Sequence, residues 1–184
     1  MKVIILDGHL KSALAAVRSL GKRGIDVICA SDRGSAMGLH SRYCSDTFVY
    51  PSPSEDRQGF IDTIVEFANN IGSKPLIYSF SDETFLPISD EREKLEKCIT
   101  LVLSNEESIN IAFDKVETLS LAKRLEVPHT DYYEKKNLKE IKDLVQTLLY
   151  PVVIKPRNSC VWVENKGVKG TASYVFKSSE LISK

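Results

Sequence analysis

Hydrophobic positions along the first hundred residues switch repeatedly between two periods. Residues 2–6 form a short aliphatic run, mostly β-branched, that fits a strand covered on both faces. Leu10, Ala13, Leu14, Val17 and Leu20 then recur at helical spacing, and Gly24 ends that segment. Residues 25–30 read as a second strand and 47–50 as a short third, closed by Pro51 and Pro53. Ser54 is expected to cap a helix whose apolar face is Phe60, Ile61, Ile64, Val65, Ala68 and Ile71. Residues 76–80 predict a fourth strand, 90–97 a charged helical stretch, and 100–103 a fifth strand. Strands alternating with helices at this pace predict βαβ units: an α/β fold with an open, mostly parallel sheet over roughly the first 110 residues.

The rhythm changes beyond that point. Asp114 with Glu117 three positions later is a capping-box signature, opening a helix through Val116, Leu119, Ala122 and Leu125 that Val127-Pro128 stops. Asn137 and Glu140 repeat the signature before Leu138, Ile141, Leu144, Val145 and Leu148. A strand is expected at 152–154 and another at 173–176, with a glycine loop between them and a last helical turn capped by Ser178.

Composition narrows the function classes. The chain has 184 residues, 42% of them hydrophobic, enough for one large domain or a domain and part of another. Its 25 basic and 25 acidic residues cancel, so no nucleic-acid stripe or polybasic membrane patch is expected. No apolar stretch approaches membrane-spanning length, and the first apolar run ends in Asp7. Cys29, Cys44, Cys98 and Cys160 are scattered without a CxxC pair, which argues for reduced thiols and a cytoplasmic protein.

Candidate chemistry sits where an open parallel sheet places ligands, beyond the strand carboxyl ends. The loop after the first strand, Asp7-Gly8-His9-Leu10-Lys11-Ser12, lacks the GxGxxG glycines that let a backbone approach a pyrophosphate. NAD is therefore disfavoured, although Asp32 lies at a suitable distance for a ribose contact. Asp7 and His9 read either as ligand contacts or as turn and capping groups. Ser81, Asp82 and Glu83 end the fourth strand and could meet a substrate amine or hydroxyl, or simply cap the next helix. The long 31–46 loop carries Arg42, whose planar fork suits a carboxylate or phosphate.

Two lysines complete the pattern. Lys155 ends the run Tyr150-Pro151-Val152-Val153-Ile154-Lys155-Pro156, where an ammonium is costly unless it snorkels or meets an anion. Lys115 falls in the first turn of a helix, where the dipole disfavours a cation unless an anion is bound nearby. Gly167 and Gly170 follow, and a glycine loop brings amides close to phosphate.

In this order, Asp114-Lys115, Val127-Pro128, the 150–156 run and Gly167…Gly170 resemble the ATP-grasp superfamily. Ser41-Arg42-Tyr43-Cys44, the 48–53 segment and Ser81-Asp82-Glu83-Thr84 look like the preceding domain of its carboxylate–amine ligase branch. That branch includes relatives of carbamoyl phosphate synthase large chain, biotin carboxylase and D-aspartate ligase. The resemblance implies a Rossmann-like pre-ATP-grasp domain (1–113), a helical linker (114–127) and an incomplete small α+β lid (128–184). It implies ATP and Mg2+ as cofactors and an acyl-phosphate route from a small carboxylate. Lys115, Lys155, Gly167, Gly170 and Thr171, with the rest of the 165–171 loop, would hold phosphate. Asp7, His9, Arg42, Ser81, Asp82 and Glu83 remain substrate candidates.

The chain departs from the pattern in its lid loop, which is poor in glycine and approached by Cys160, Val161 and Trp162. The superfamily's adenine-hinge Glu and its magnesium ligands would lie beyond Lys184. The chain is thus expected to be the N-terminal part of a ligase, inactive alone, with a lid that is mobile or ordered by pairing with a second copy. The other reading is a non-catalytic α/β module that binds a small anionic metabolite.

Overall fold

A computed structural model describes residues 1–135, 137–163 and 166–182. Five parallel strands, β1 (Lys2–Ile5), β2 (Asp26–Ser31), β3 (Asp46–Val49), β4 (Leu76–Tyr78) and β5 (Thr100–Leu101), form one sheet in the order β3-β2-β1-β4-β5. The fold is α/β, as the alternating periods predicted. Chain order reverses across β1 and β4, so the topological switch point lies at their carboxyl ends.

Alternation along each central strand feeds two cores. Ile4, Leu6, Ile28 and Ala30 pack on one face against Phe60, Ile61, Ile64 and Ala68 of α2 (Arg57–Asn70), with Ile88, Leu95 and Ile99. Val3, Ile5, Val27 and Cys29 pack on the other face against Ala13 and Val17 of α1 (Lys11–Gly21). Each fully buried Ile, Leu or Phe contributes roughly 1.5–3 kcal/mol, so the sheet is the main source of stability here.

The chain divides into two compact units, residues 1–104 with 162–168, and residues 105–161 with 169–184. Within the first, α3 (Asp82–Asp90) and α4 (Arg92–Leu95) replace the single charged stretch expected at 90–97. α2 starts at Arg57 with Asp56 as its cap, accepting from the Gly59 amide, and not with Ser54. β4 and β5 are shorter than predicted, and β3 is displaced by one residue toward the N-terminus.

The second unit opens with α5 (Glu106–Phe113), which periodicity did not predict, and α6 (Lys115–Arg124). Asp114 caps α6 as its signature foretold, accepting from the amides of Val116 and Glu117. Asn137 likewise caps α7 (Leu138–Leu144) through the Glu140 amide. β6 (Val152–Ile154) pairs antiparallel with β9 (Ser173–Val175). Val152, Ile154 and Val175 turn to one side and pack with Val145, Leu148 and Leu181, while Val153 and Tyr174 face out from the other. A short 3-10 turn, Ser178–Glu180, follows with Lys177 as its cap, so Ser178 begins the turn and does not cap it. The expected glycine loop is largely a strand pair, β7 (Cys160–Val163) with β8 (Lys166–Lys169); Asn165 lies outside the described residues, as does Lys184.

Candidate functional site

The switch point is already filled by the protein's own carboxylate. Asp7 leaves β1 with φ of 57°, a left-handed conformation that Asp tolerates better than most residues. Its side chain is buried and turned toward the start of α3. Oδ2 accepts from the Phe80 amide at 2.8 Å and from Thr84 Oγ1 at 2.7 Å, and Oδ1 accepts from Ser81 Oγ at 3.0 Å. Ser81 also caps α3. Asp7 thus braces the start of α3 through the Phe80 amide and the Ser81 and Thr84 hydroxyls, while Ser81 itself accepts from the Thr84 amide. Tyr50 closes the place from the side, its hydroxyl accepting from the Asp7 amide at 3.0 Å. Burial and the nearby Asp7 carboxylate push the Tyr50 phenol well up. Asp7 and Ser81 are therefore capping and bracing groups.

A second polar cluster lies at the end of β2. His9 Nδ1 is 3.3 Å from Ser31 Oγ and 3.2 Å from Asp32 Oδ1. Arg33 grips Asp32 through Nε at 3.0 Å and a terminal nitrogen at 2.9 Å. That guanidinium holds the Asp32 carboxyl below its usual range, against partial burial and with help from Ser31 and His9. Asp32 is thus paired with Arg33 and close to His9. Asp82 opens α3 half-buried, and Glu83 beside it accepts from Ser54 Oγ at 2.6 Å. The His9–Ser31–Asp32 cluster and the Ser54–Glu83 bond were invisible to periodicity, because each joins residues far apart in sequence. Arg42 sits elsewhere, exposed and against Tyr43, so it does not join His9 and Glu83.

The lysines belong to the second unit. Lys115 donates its backbone amide to Arg157 O at 3.1 Å, and its ammonium to Ser159 Oγ at 2.9 Å and Arg157 O at 3.4 Å. The start of α6 is thereby tied to the segment that leaves β6 just after Lys155. Lys155 itself is exposed. Arg157 braces the junction, donating to Asp114 at 2.6 Å, Glu134 at 2.9 Å and Glu117 at 3.2 Å. Burial works to raise the Asp114 pKa, but Arg157 and the two capping amides outweigh it and the carboxyl ends up lowered. No sequence signal singled out Arg157, whose partners come from the start of α6 (Asp114 and Glu117) and from Glu134 beyond that helix.

The glycines do not present free amides. Gly167 lies inside β8 and donates to Ser54 O at 3.1 Å, while Gly170 donates to Ser159 O at 3.0 Å. Thr171 follows Gly170, exposed and outside any strand. Among the described residues no group of three or more His, Cys, Asp and Glu side chains is placed to hold a metal ion.

No family model matches the chain, and no curated protein matches it in sequence. Solved structures do match in fold. The biotin carboxylase domain of Hydrogenobacter thermophilus 2-oxoglutarate carboxylase, described with MgADP, ADP and bicarbonate, superposes with a TM-score of 0.65 at 18% identity over 99% of this chain. The biotin carboxylase domain of a single-chain bacterial carboxylase gives 0.60 at 14% identity, and the biotin carboxylase subunit of pyruvate carboxylase 0.52 at 16% identity, each over 99% of this chain. At these identities the neighbours establish the fold alone. The chain spans about two-fifths of their length, 38–39%. No helix among the described residues is long and apolar enough to cross a membrane.

Proposed function

We propose that this chain is a nucleotide-holding part of an ATP-dependent carboxylate–amine, or other carbon–nitrogen, ligase of the ATP-grasp type. The observation that carries the reading is the tie between Lys115 and the 157–159 segment. It ties the helix start that carries Lys115 to the segment that follows Lys155. Each ammonium supplies a point charge to a phosphate oxygen. ATP, when bound, supplies the phosphoryl group that converts a carboxylate into an acyl phosphate for attack by an amine. Lys115 and Lys155 orient and neutralise the polyphosphate. Gly167, Gly170 and Thr171 are the other residues proposed to contact phosphate. His9, Asp82 and Glu83, at the sheet's carboxyl edge, are the residues proposed to meet substrate.

Phosphoryl transfer leans on metal-bridged charge neutralisation. With no magnesium ligand set of its own among the described residues, the chain is proposed to bind nucleotide without turning it over. The functional division is 1–113, 114–127 and 128–184, and a homodimer would show as twice the monomer mass by light scattering. Calorimetric titration of the chain with ATP tests the reading. Lys155→Ala should weaken binding about tenfold or more, the worth of one charge-assisted hydrogen bond. Lys115→Ala should do the same and also loosen the 157–159 segment. ATP affinity unchanged in both variants would remove the proposal.

A further inference from the structure

A basic groove runs along the last turns of α1, within the first unit and away from the sheet's carboxyl edge. It encloses about 480 Å³ and is lined by Arg18, Lys22, His40, Ser41, Arg42 and Tyr43. No carboxylate lines it. The chain as a whole has equal numbers of acidic and basic residues. Four other cations in the fold are matched by acids: Arg33 by Asp32, Arg57 by Asp90, Lys94 by Asp62, and Arg157 by three carboxylates. Arg18, Lys22 and Arg42 have no such partner among the described residues.

The groove floor is Tyr43, fixed by close packing. A Cβ on Gly21 would lie 2.6 Å from the Tyr43 Cβ and 2.7 Å from its carbonyl oxygen, so α1 and the Tyr43 backbone touch directly. The ring then serves as a platform. The Arg42 guanidinium stacks 5.0 Å from its centroid and donates to its hydroxyl at 2.9 Å, and the Lys22 ammonium lies 5.9 Å from the centroid. The hydrogen bond from Arg42 draws the Tyr43 phenol down, with smaller pulls from the charges of Arg42, Lys22 and Arg18. The negative end of α1 accounts for a basic residue on the helix. It does not account for Arg42, which comes from a loop and converges on the same place.

We propose that this groove is a binding site for a small multiply charged phosphate-bearing anion, separate from the nucleotide site on the second unit. Three uncompensated cations in a bounded groove match a di- or triphosphate. The zero net charge of the whole chain and the short extent of the patch disfavour a nucleic-acid track. Arg42 supplies planar recognition, Arg18 and Lys22 supply charge, and the Ser41 hydroxyl supplies a donor.

Inorganic tripolyphosphate, titrated into isotopically labelled chain 1–184 and followed by amide chemical shifts, tests the site. Saturable shifts centred on residues 18–22 and 40–43 are expected. Affinity should fall by about a hundredfold in R18Q/K22Q/R42Q, since each lost charge-assisted contact costs several-fold or more. All three side chains are exposed, and an unchanged melting curve will show that the variant is folded. Lys115→Gln with Lys155→Gln should leave these shifts intact, which separates this site from the proposed ATP site. Absence of saturation, shifts confined to other residues, or indifference to the triple variant would overturn the proposal. So would tighter binding of a short DNA or of anionic lipid vesicles than of tripolyphosphate, because the ligand would then not be a small anion.

Discussion

Asp7 accepts a 2.7 Å hydrogen bond from Thr84 Oγ1 across 77 positions of sequence, joining the end of β1 to the first turn of α3. Asp7→Asn keeps the size and the tolerance for a left-handed backbone, but its amide group faces donors with donors. The variant should lose about 3 kcal/mol in urea unfolding, the cost of leaving buried donors unmatched. A double-mutant cycle with Thr84→Val should show coupling of about 1 kcal/mol or more. Additive losses would mean that the two groups do not act as a pair.

Asp114 both caps α6 and meets Arg157, and the two roles can be separated. Asp114→Ala removes the acceptor for the Val116 and Glu117 amides and should cost about 1 kcal/mol. Asp114→Asn retains a cap and gives up the charge toward Arg157, so it should be milder. Amide exchange in α6 should accelerate in the order wild type, Asn, Ala; the reverse order for Asn and Ala would contradict the capping role.

Acid should weaken the chain in a defined window. Asp32 and Asp114 have folded pKa values below the unfolded carboxylate value of about 3.9, held down mainly by Arg33 and by Arg157 with the cap amides. Such groups bind protons more readily in the unfolded chain, so their stabilisation is complete above that value and is lost as pH falls through the folded one. Urea midpoints measured from pH 6 downward should therefore hold steady and then drop below about pH 4. Arg33→Gln should make the drop shallower, and an equally steep drop in that variant would rule out the Asp32 contribution.

Gly38 allows the long loop after β2 to lie against β1's own exit. Its amide donates to Gly8 O at 2.8 Å, and an added Cβ would sit 2.8 Å from both that oxygen and the Cys29 sulfur. Gly38→Ala is expected to destabilise by about 1–3 kcal/mol through overpacking. A fall in the thermal midpoint without loss of the far-ultraviolet helix signal would be the mark of it. An unchanged midpoint would mean that the loop has another way to settle.

Much of the sheet was legible in sequence because its order is written in local periods. Val3-Ile4-Ile5-Leu6 and Val27-Ile28-Cys29-Ala30 admit few other readings, and Asp114 and Asn137 announce their helices through spacing. α5 escaped notice because Ile109, Ile111 and Phe113 follow two glutamates without a capping-box partner for Asn105. β7 and β8 escaped because Gly167 and Gly170 suggest a loop, while Val161, Val163 and Val168 are exposed and give no core signal. In the candidate site, Lys115 and Lys155 came from helix-end and strand-end electrostatics. What those rules could not show was the partner of each group. The Asp7 bonds to Phe80, Ser81 and Thr84, and the Arg157 bonds to three acids, depend on tertiary closure and leave no trace in spacing.

Trp162 is the sole tryptophan of the chain. Its indole nitrogen is buried with no hydrogen-bond partner among the described residues, and the Arg57 guanidinium lies 5.1 Å from the ring centroid. Nearby, Gly167 is bonded to Ser54. A lone, half-buried indole held under a cation, with its nitrogen out of solvent, is a built-in optical gauge. If nucleotide draws the Gly167 strand away from Ser54, the emission of the unlabelled protein should shift to the red as water reaches the ring. The molecule thus carries its own means of reporting whether that glycine amide is ever set free.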